Sequence, residues 1–271
     1  MTNATTPINR IDFLKAEDLN DIITQVSDSL NKIGYIVIKN YPIDFENISY
    51  TKKRFQDLSE QIGIPISHDR HNTIIWDIKS KPAATAKNGV ITYSEHNHEA
   101  DLHTDSQYSE YPEDYFNLLT LKKAKCGGGI SYLLSLEDIL KELHSTEKGQ
   151  EIKVTLASTD YPFIVPGVFK KKNTQEPEFN FGPILRPNEI RFRVDTIEKA
   201  LDYNPDFITG EQFEAFTFLV NLVRTTKYRK EFFLEENDLI FINNKTMLHG
   251  RGSFTDYDRH LLRIRMNKFE A

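Results

Sequence analysis

Apolar residues recur along the first sixty positions at the spacing of a helix face. Leu19, Ile22, Ile23, Val26, Leu30 and Ile33 fall three or four apart, or side by side, and Gly34 follows as a stop. The pattern predicts an amphipathic helix that buries one stripe. An apolar run at 35–39, ended by Tyr41-Pro42, predicts a strand. Phe55, Leu58 and Ile62 before Gly63 predict a second helix, and residues 73–78 a strand. Residues 80–100 are polar, carry Pro82, Asn88-Gly89 and two histidines, and predict a loop too long for a mere connection. Apolar runs at 115–121 and 130–134 flank Gly127-Gly128-Gly129 and predict two strands joined by a turn. Ser135 with Asp138 predicts the start of a short helix.

Beyond Gly149 the pattern reads as β again. Ile190, Phe192 and Val194 alternate with Arg191, Arg193 and Asp195, which predicts a half-buried strand with its arginines outward. Thr209 and Gln212 form a capping box that opens a helix through about Arg224. Residues 239–242 predict a short strand. Leu262, Ile264 and Met266 alternate with Arg263 and Arg265 in a last one. Many short strands with few helices predict a mainly β fold with flanking helices. No stretch reads as an interdomain linker, so one domain over 1–271 is expected, with residues 1–10 frayed.

Composition narrows the chemistry. Only 39% of the 271 residues are hydrophobic, but 18 Phe, 12 Tyr and one Trp supply large buried side chains. Lys and Arg number 34 against 40 Asp and Glu, a net charge of −6 with a pI near 5.8. That balance carries no footprint for nucleic acid or an anionic membrane, and a small-molecule partner is expected instead. No apolar run approaches the roughly 18 residues of a membrane span. The start MTNATTPINR lacks a charged-then-apolar leader, so the reading is a soluble cytoplasmic protein. The one cysteine, Cys126, excludes an internal disulfide and a multi-cysteine zinc site, and is expected to be a small packed residue. Neither a nucleotide-binding glycine spacing nor a nucleophile elbow is present.

Three readings compete for the eight histidines. His96, His98 and His103 would give a zinc hydrolase its three ligands. Surface or hydrogen-bonded roles fit any one histidine taken alone. The third reading takes His103 and Asp105, two apart and on one face of an extended segment, with the remote His249. Two histidines and one carboxylate occupy one face of an octahedral metal and leave three positions open, which suits non-haem Fe(II) that must bind a cosubstrate and O₂.

The flanks extend that third reading. His103-Thr104-Asp105, then Tyr115-Phe116-Asn117-Leu118-Leu119-Thr120-Leu121, then Gly128-Gly129-Ile130-Ser131 resemble the front half of the taurine dioxygenase/clavaminate synthase-like superfamily of Fe(II)/2-oxoglutarate oxygenases. The run from Asn237-Asp238 to Asn244, then His249-Gly250-Arg251, Phe254 and Asp258-Arg259 through Arg263, resembles its back half. The resemblance implies a double-stranded β-helix, or jelly roll. It implies His103, Asp105 and His249 as iron ligands, and Arg259 on the far carboxylate of 2-oxoglutarate, with Arg263 and Ser131 as further cosubstrate contacts. An Arg fork suits a carboxylate. Substrate contacts are expected at Glu99, just before the ligand pair, at Gln107, in phase with His103 and Asp105, and at Arg251. Family halogenases carry a small residue where Asp105 stands, so oxygenation is expected over halogenation. The implied activity is hydroxylation of an unactivated C–H bond in a small molecule, an amino acid or a derivative of one. Scavenging of a sulfonate or sulfate ester, or a non-catalytic jelly-roll binding protein, are the alternatives.

Overall fold

The computed structural model describes residues 7–69, 71–80, 93–169 and 176–269. The chain runs through β1 (Arg10–Asp12), α1 (Leu19–Lys32), β2 (Tyr35–Lys39), α2 (Ile48–Glu60), β3 (Ile64–Ile66) and β4 (Trp76–Lys79). Next come β5 (Ala100–His103), β6 (Tyr115–Lys122), β7 (Ser131–Ser135), α3 (Leu136–His144) and α4 (Glu147–Ser158). The hairpins β8 (Tyr161–Ile164) with β9 (Phe179–Gly182) and β10 (Leu185–Arg186) with β11 (Glu189–Ile190) follow. The last elements are α5 (Val194–Tyr203), α6 (Gly210–Thr225), β12 (Lys230–Phe232), β13 (Leu239–Asn243), β14 (Met247–Arg251) and β15 (His260–Asn267).

Two sheets organise these elements. The larger has the order β1-β2-β13-β6-β15-β3, with β4 also pairing β15, and the smaller has the order β12-β7-β14-β5. Every pair is antiparallel except β1 with β2. Tyr35, Val37, Phe116 and Ile240 of the large sheet meet Leu133 and Met247 of the small one in a core between the sheets. Helices cover both outer faces. Ile22, Val26 and Leu30 of α1 and Phe55 and Leu58 of α2 pack on Leu119, Leu239 and Leu262. Leu143, Ile152, Ile197 and Leu219 from α3 to α6 pack behind Leu134 and Leu248. A sheet buried on both faces reads as an unbroken apolar run, which is why residues 239–242 are all buried. This is the double-stranded β-helix architecture with flanking helices.

Local signals account for most boundaries. Asp18 caps α1 by accepting from the Asp21 amide, Ser135 caps α3 by accepting from the Asp138 amide, and Thr209 with Gln212 closes the capping box on α6. Four expectations fail. The β pattern expected after Gly149 is broken at both ends by helix, since α4 contains Gly149 and α5 begins at Val194. Gly149 serves close packing: a Cβ there would lie 2.2 Å from the Leu143 carbonyl oxygen. The alternation at 190–194 does not make a strand beyond Ile190. Phe192 exchanges single bonds with Thr104 instead, its amide donating to the Thr104 hydroxyl at 3.1 Å and its carbonyl accepting from the Thr104 amide at 2.8 Å. Arg191 and Arg193 are accordingly buried, not outward. Cys126 is exposed, not packed. The strand expected at 73–78 begins only at Trp76. Of the 80–100 loop and the frayed start, residues 81–92 and 1–6 lie outside the described residues.

Candidate metal centre

Strand register brings the two halves of the site together. β14 pairs with β5 so that His249 lies directly opposite His103, with a register shift before Arg251. The imidazole centroids are 4.2 Å apart. Asp105 follows in a turn after β5, and its Oδ1 lies 3.7 Å from His103 Nε2 and 3.8 Å from His249 Nε2. One ligand atom from each of the three falls within 4.8 Å of the others. His96 and His98 do not join this cluster among the described residues. Their carbonyls accept from Arg251 Nη2 at 3.1 and 2.9 Å instead.

Protonation suits the donors to a cation. His103 Nδ1 lies 2.7 Å from the Asp101 carbonyl, so that nitrogen carries the proton and Nε2 offers its lone pair. Burial, with the neighbouring His103, holds His249 well below the usual histidine range and neutral. Burial opposes ionisation of Asp105. It is overcome by the Arg263 guanidinium and by Arg265 behind it, which hold the carboxyl well below the usual range. The carboxylate is divided: Oδ1 faces the histidines, while Oδ2 accepts from Arg263 Nη1 at 2.8 Å. Two imidazole nitrogens and one carboxylate oxygen on one wall, open on the other side, fit an octahedral Fe(II) with exchangeable positions.

The backbone under Asp105 is clamped from two sides. Asn244, buried at the end of β13, accepts from the Asp105 amide at 2.8 Å and donates to the Asp105 and Glu113 carbonyls at 3.1 and 3.0 Å. Arg191 donates through Nε and Nη2 to the Gln107 carbonyl at 3.1 and 2.7 Å. The sequence offered no role for Asn244, although it ends a quoted apolar run; its partners lie more than 130 positions away.

A cavity of about 240 Å³ opens in front of the triad. Phe116, Leu118, Leu234 and Leu261 supply apolar wall, and Arg193, Arg251, Arg259, Arg263 and Arg265 supply cations. Three of these arginines have carboxylates: Arg193 with Asp195, Arg263 with Asp105, and Arg265 with Glu113 at 2.9 Å. Arg259 does not. Its guanidinium makes no hydrogen bond among the described residues and sits 5.2 Å from the Phe254 ring centroid. Burial, and Arg251 beside it, pull its pKa down to about 9. A buried fork with no ion pair among the described residues, its charge supported only by the field of Asp256, is built to receive an anion. Ser131 also lines the cavity. His68 and Trp76, which no sequence signal marked as a pair, line the same cavity with ring centroids 5.8 Å apart.

Two of the expected substrate contacts lie elsewhere. Glu99 is exposed and lines a separate small groove with Tyr132 and Arg224. Gln107 is fully buried, donates to the Thr196 hydroxyl at 3.1 Å, and is not on the cavity wall. Its phase argument assumed extended chain, but Ser106 adopts a left-handed φ of 51° and reverses the direction. Arg251 does reach the cavity, held by the 96–98 carbonyls.

Comparison with known proteins agrees with this geometry. Asparagine oxygenase in complex with Fe(II), 2S,3S-3-hydroxyasparagine and succinate superposes with a TM-score of 0.71 at 16% identity, covering 92% of this chain and 79% of that one. The non-haem iron oxygenase OrfP with Fe and α-ketoglutaric acid superposes with a TM-score of 0.67 at 17% identity, covering 95% and 85%. OrfP with Fe, succinate and (3R,4R)-dihydroxy-L-Arg gives 0.67 at 17%, covering 97% and 95%. At these identities the likeness establishes a shared fold. No curated protein sequence matches the chain. The family model described as taurine catabolism dioxygenase TauD, TfdA family matches residues 2–265, and the chain belongs to that family.

Proposed function

We propose that the chain acts as one Fe(II)- and 2-oxoglutarate-dependent oxygenase domain that hydroxylates an unactivated C–H bond of an amino acid or amino-acid derivative. The observation that carries the reading is the pairing of a His103–Asp105–His249 triad with a buried Arg259 that makes no ion pair among the described residues, on the wall of one cavity. Iron, 2-oxoglutarate and O₂ supply the oxidation of the C–H bond, with 2-oxoglutarate converted to succinate and CO₂.

The chain's own groups set the geometry. His103 is held in one tautomer by the Asp101 carbonyl and presents Nε2. Arg263 keeps Asp105 ionised and fixes its rotation. Arg259 would hold the far carboxylate of 2-oxoglutarate, and the Ser131 hydroxyl would donate to the same molecule. Phe116, Leu118 and Leu261 exclude water from the reacting side. Arg251, itself on the cavity wall, ties down the 96–98 segment through the His96 and His98 carbonyls. With a carboxylate at 105, no position is kept for a halide, so the product gains oxygen or loses hydrogen.

The amino-acid reading is supported by the hydroxyasparagine and dihydroxyarginine held in the similar structures. The family description, taurine catabolism, makes sulfonates the second arm of the test. The purified protein is incubated with Fe(II), 2-oxoglutarate and ¹⁸O₂ against the free amino acids and, separately, small sulfonates. A labelled oxygen atom in one amino acid is expected. Oxidation confined to the sulfonates would replace the substrate assignment, and chlorinated product in added chloride would contradict the role of Asp105.

A further inference from the structure

Phe254 is 5% exposed, and it lines neither the cavity in front of the triad nor the adjoining space of about 250 Å³. Two guanidiniums lie over its ring. Arg251 Cζ is 4.6 Å from the centroid and Arg259 Cζ is 5.2 Å from it. Both arginines reach the cavity wall, and neither has an ion pair among the described residues. Glu99 supports the charge of Arg251 from a distance, and Asp256 that of Arg259. The negative face of an aromatic ring attracts a cation most strongly where water is excluded.

The backbone of Phe254 is fixed on two sides. Its amide donates to the Asn97 carbonyl at 3.0 Å, while Arg251 Nη2 donates to the His96 and His98 carbonyls. Three consecutive carbonyls therefore accept from this one pair of residues. On the other side the Gly129 amide donates to the Ser253 carbonyl at 2.9 Å. A Cβ on Gly128 would lie 2.4 Å from the Ser253 carbonyl oxygen and 3.0 Å from Phe254 Cα, so only glycine lets the turn close on this segment.

The two guanidiniums differ in what else restrains them. Arg251 donates three hydrogen bonds, to the carbonyls of Gly252, His96 and His98. The Arg259 guanidinium makes none among the described residues. Arg259 also lines the adjoining space, whose walls include Glu235, so its side chain has somewhere else to go. Without the ring, the two like charges would repel, and the unfastened one would yield. Ordering a long side chain costs rotamer entropy, and an anchor already ordered spares its ligand that cost.

We infer that Phe254 is a positioning residue for the cosubstrate: its ring face holds the Arg259 guanidinium forward at the cavity in front of the triad. The inference rests on the oxygenase reading. The ring touches no ligand itself. Packing alone would need only volume at position 254, whereas this role needs the face of an aromatic ring.

The test is an anaerobic calorimetric titration of 2-oxoglutarate into Fe(II)-loaded protein, with Fe(II) affinity measured on the same samples. Phe254→Leu keeps an apolar side chain and removes the ring. A ring-fluorinated phenylalanine installed at 254 keeps the shape and withdraws electron density from the face, and it decides the matter if Phe254→Leu does not fold. Phe254→Leu is expected to weaken 2-oxoglutarate about tenfold and the fluorinated ring about threefold, with Fe(II) affinity within about twofold of wild type in both. Phe254→Tyr keeps the face and is expected to hold 2-oxoglutarate within about twofold of wild type. Affinity for 2-oxoglutarate unchanged by fluorination overturns the inference, because volume is then enough. Equal loss of Fe(II) and 2-oxoglutarate also overturns it, by making the ring a support of the whole centre. Failure of the oxygenase reading shows in wild type instead, as iron-loaded protein that does not bind 2-oxoglutarate, and the inference falls with it.

Discussion

At the scale of single residues, the site divides into groups that meet the ligands and groups that hold them still. In the proposed reading Arg259 belongs to the first kind. Arg259→Ala is expected to raise the KM for 2-oxoglutarate by the equivalent of about 2–5 kcal/mol, with a smaller effect on substrate. Initial rates against cosubstrate concentration check this, and a KM within about threefold of wild type would remove Arg259 from the role. Asn244 belongs to the second kind. Asn244→Ala strips partners from the Asp105 amide and from two buried carbonyls, and should cost about 3 kcal/mol by urea denaturation while also weakening iron. The triad was legible in the sequence because a short H-x-D pair and one remote histidine lie in characteristic flanks. Asn244 was not, because its bonds cross more than 130 positions and leave no local pattern. Gln107 was misplaced for the opposite reason: a local rule, strand alternation, was carried one residue past the left-handed turn at Ser106.

Among elements, the pairing of β14 with β5 controls the site, since it sets His249 opposite His103. Gly250 makes that approach possible. A Cβ there would lie 2.7 Å from the Ala100 carbonyl oxygen and 3.2 Å from the Leu102 amide, and neither backbone atom can yield without parting the strands. Gly250→Ala is expected to cost about 1–3 kcal/mol and to weaken iron binding, measured by denaturation and metal titration on the same sample. Gly210→Ala at the start of α6, where an added Cβ meets nothing within 4 Å, is the matched control and should be neutral or slightly stabilising. Elements with strong local signals, such as α1 and the capped α6, were legible to within a few residues. The stretch from 147 to 203 was not. There α4 carries a glycine chosen for its packing on Leu143, and α5 begins without a side-chain cap at Arg193. The apolar residues at 190–194 are buried by Thr104 and the helical layer, not by a sheet ladder.

Across the whole molecule, the polar cavity between the sheets leaves a mark on stability. His68 and His96 fold neutral. Burial, with Arg263 nearby, brings His68 down to about 2, and burial, with Arg251, brings His96 down to about 4. Both values lie below the ordinary 6.5. The unfolded chain therefore binds more protons, and the stability these groups contribute is complete above pH 6.5 and lost as pH falls toward the folded values. Each adds a slope of up to about 1.4 kcal/mol per pH unit in that window. Urea unfolding at pH 7 and pH 5 should show the loss, and His68→Gln should flatten it. An unchanged slope would mean that His68 gains a proton partner in solution. No helix among the described residues is long and apolar enough to cross a membrane. The account as a whole stands on iron held by His103, Asp105 and His249, with 2-oxoglutarate clamped by Arg259. Succinate formation from 2-oxoglutarate, with Fe(II), O₂ and the amino-acid pool, tests it most directly when wild type is run beside His249→Ala and an anaerobic control. The account predicts O₂-dependent succinate from wild type and none above background from the variant. Equal succinate from both proteins, or none from iron-loaded wild type, would contradict it.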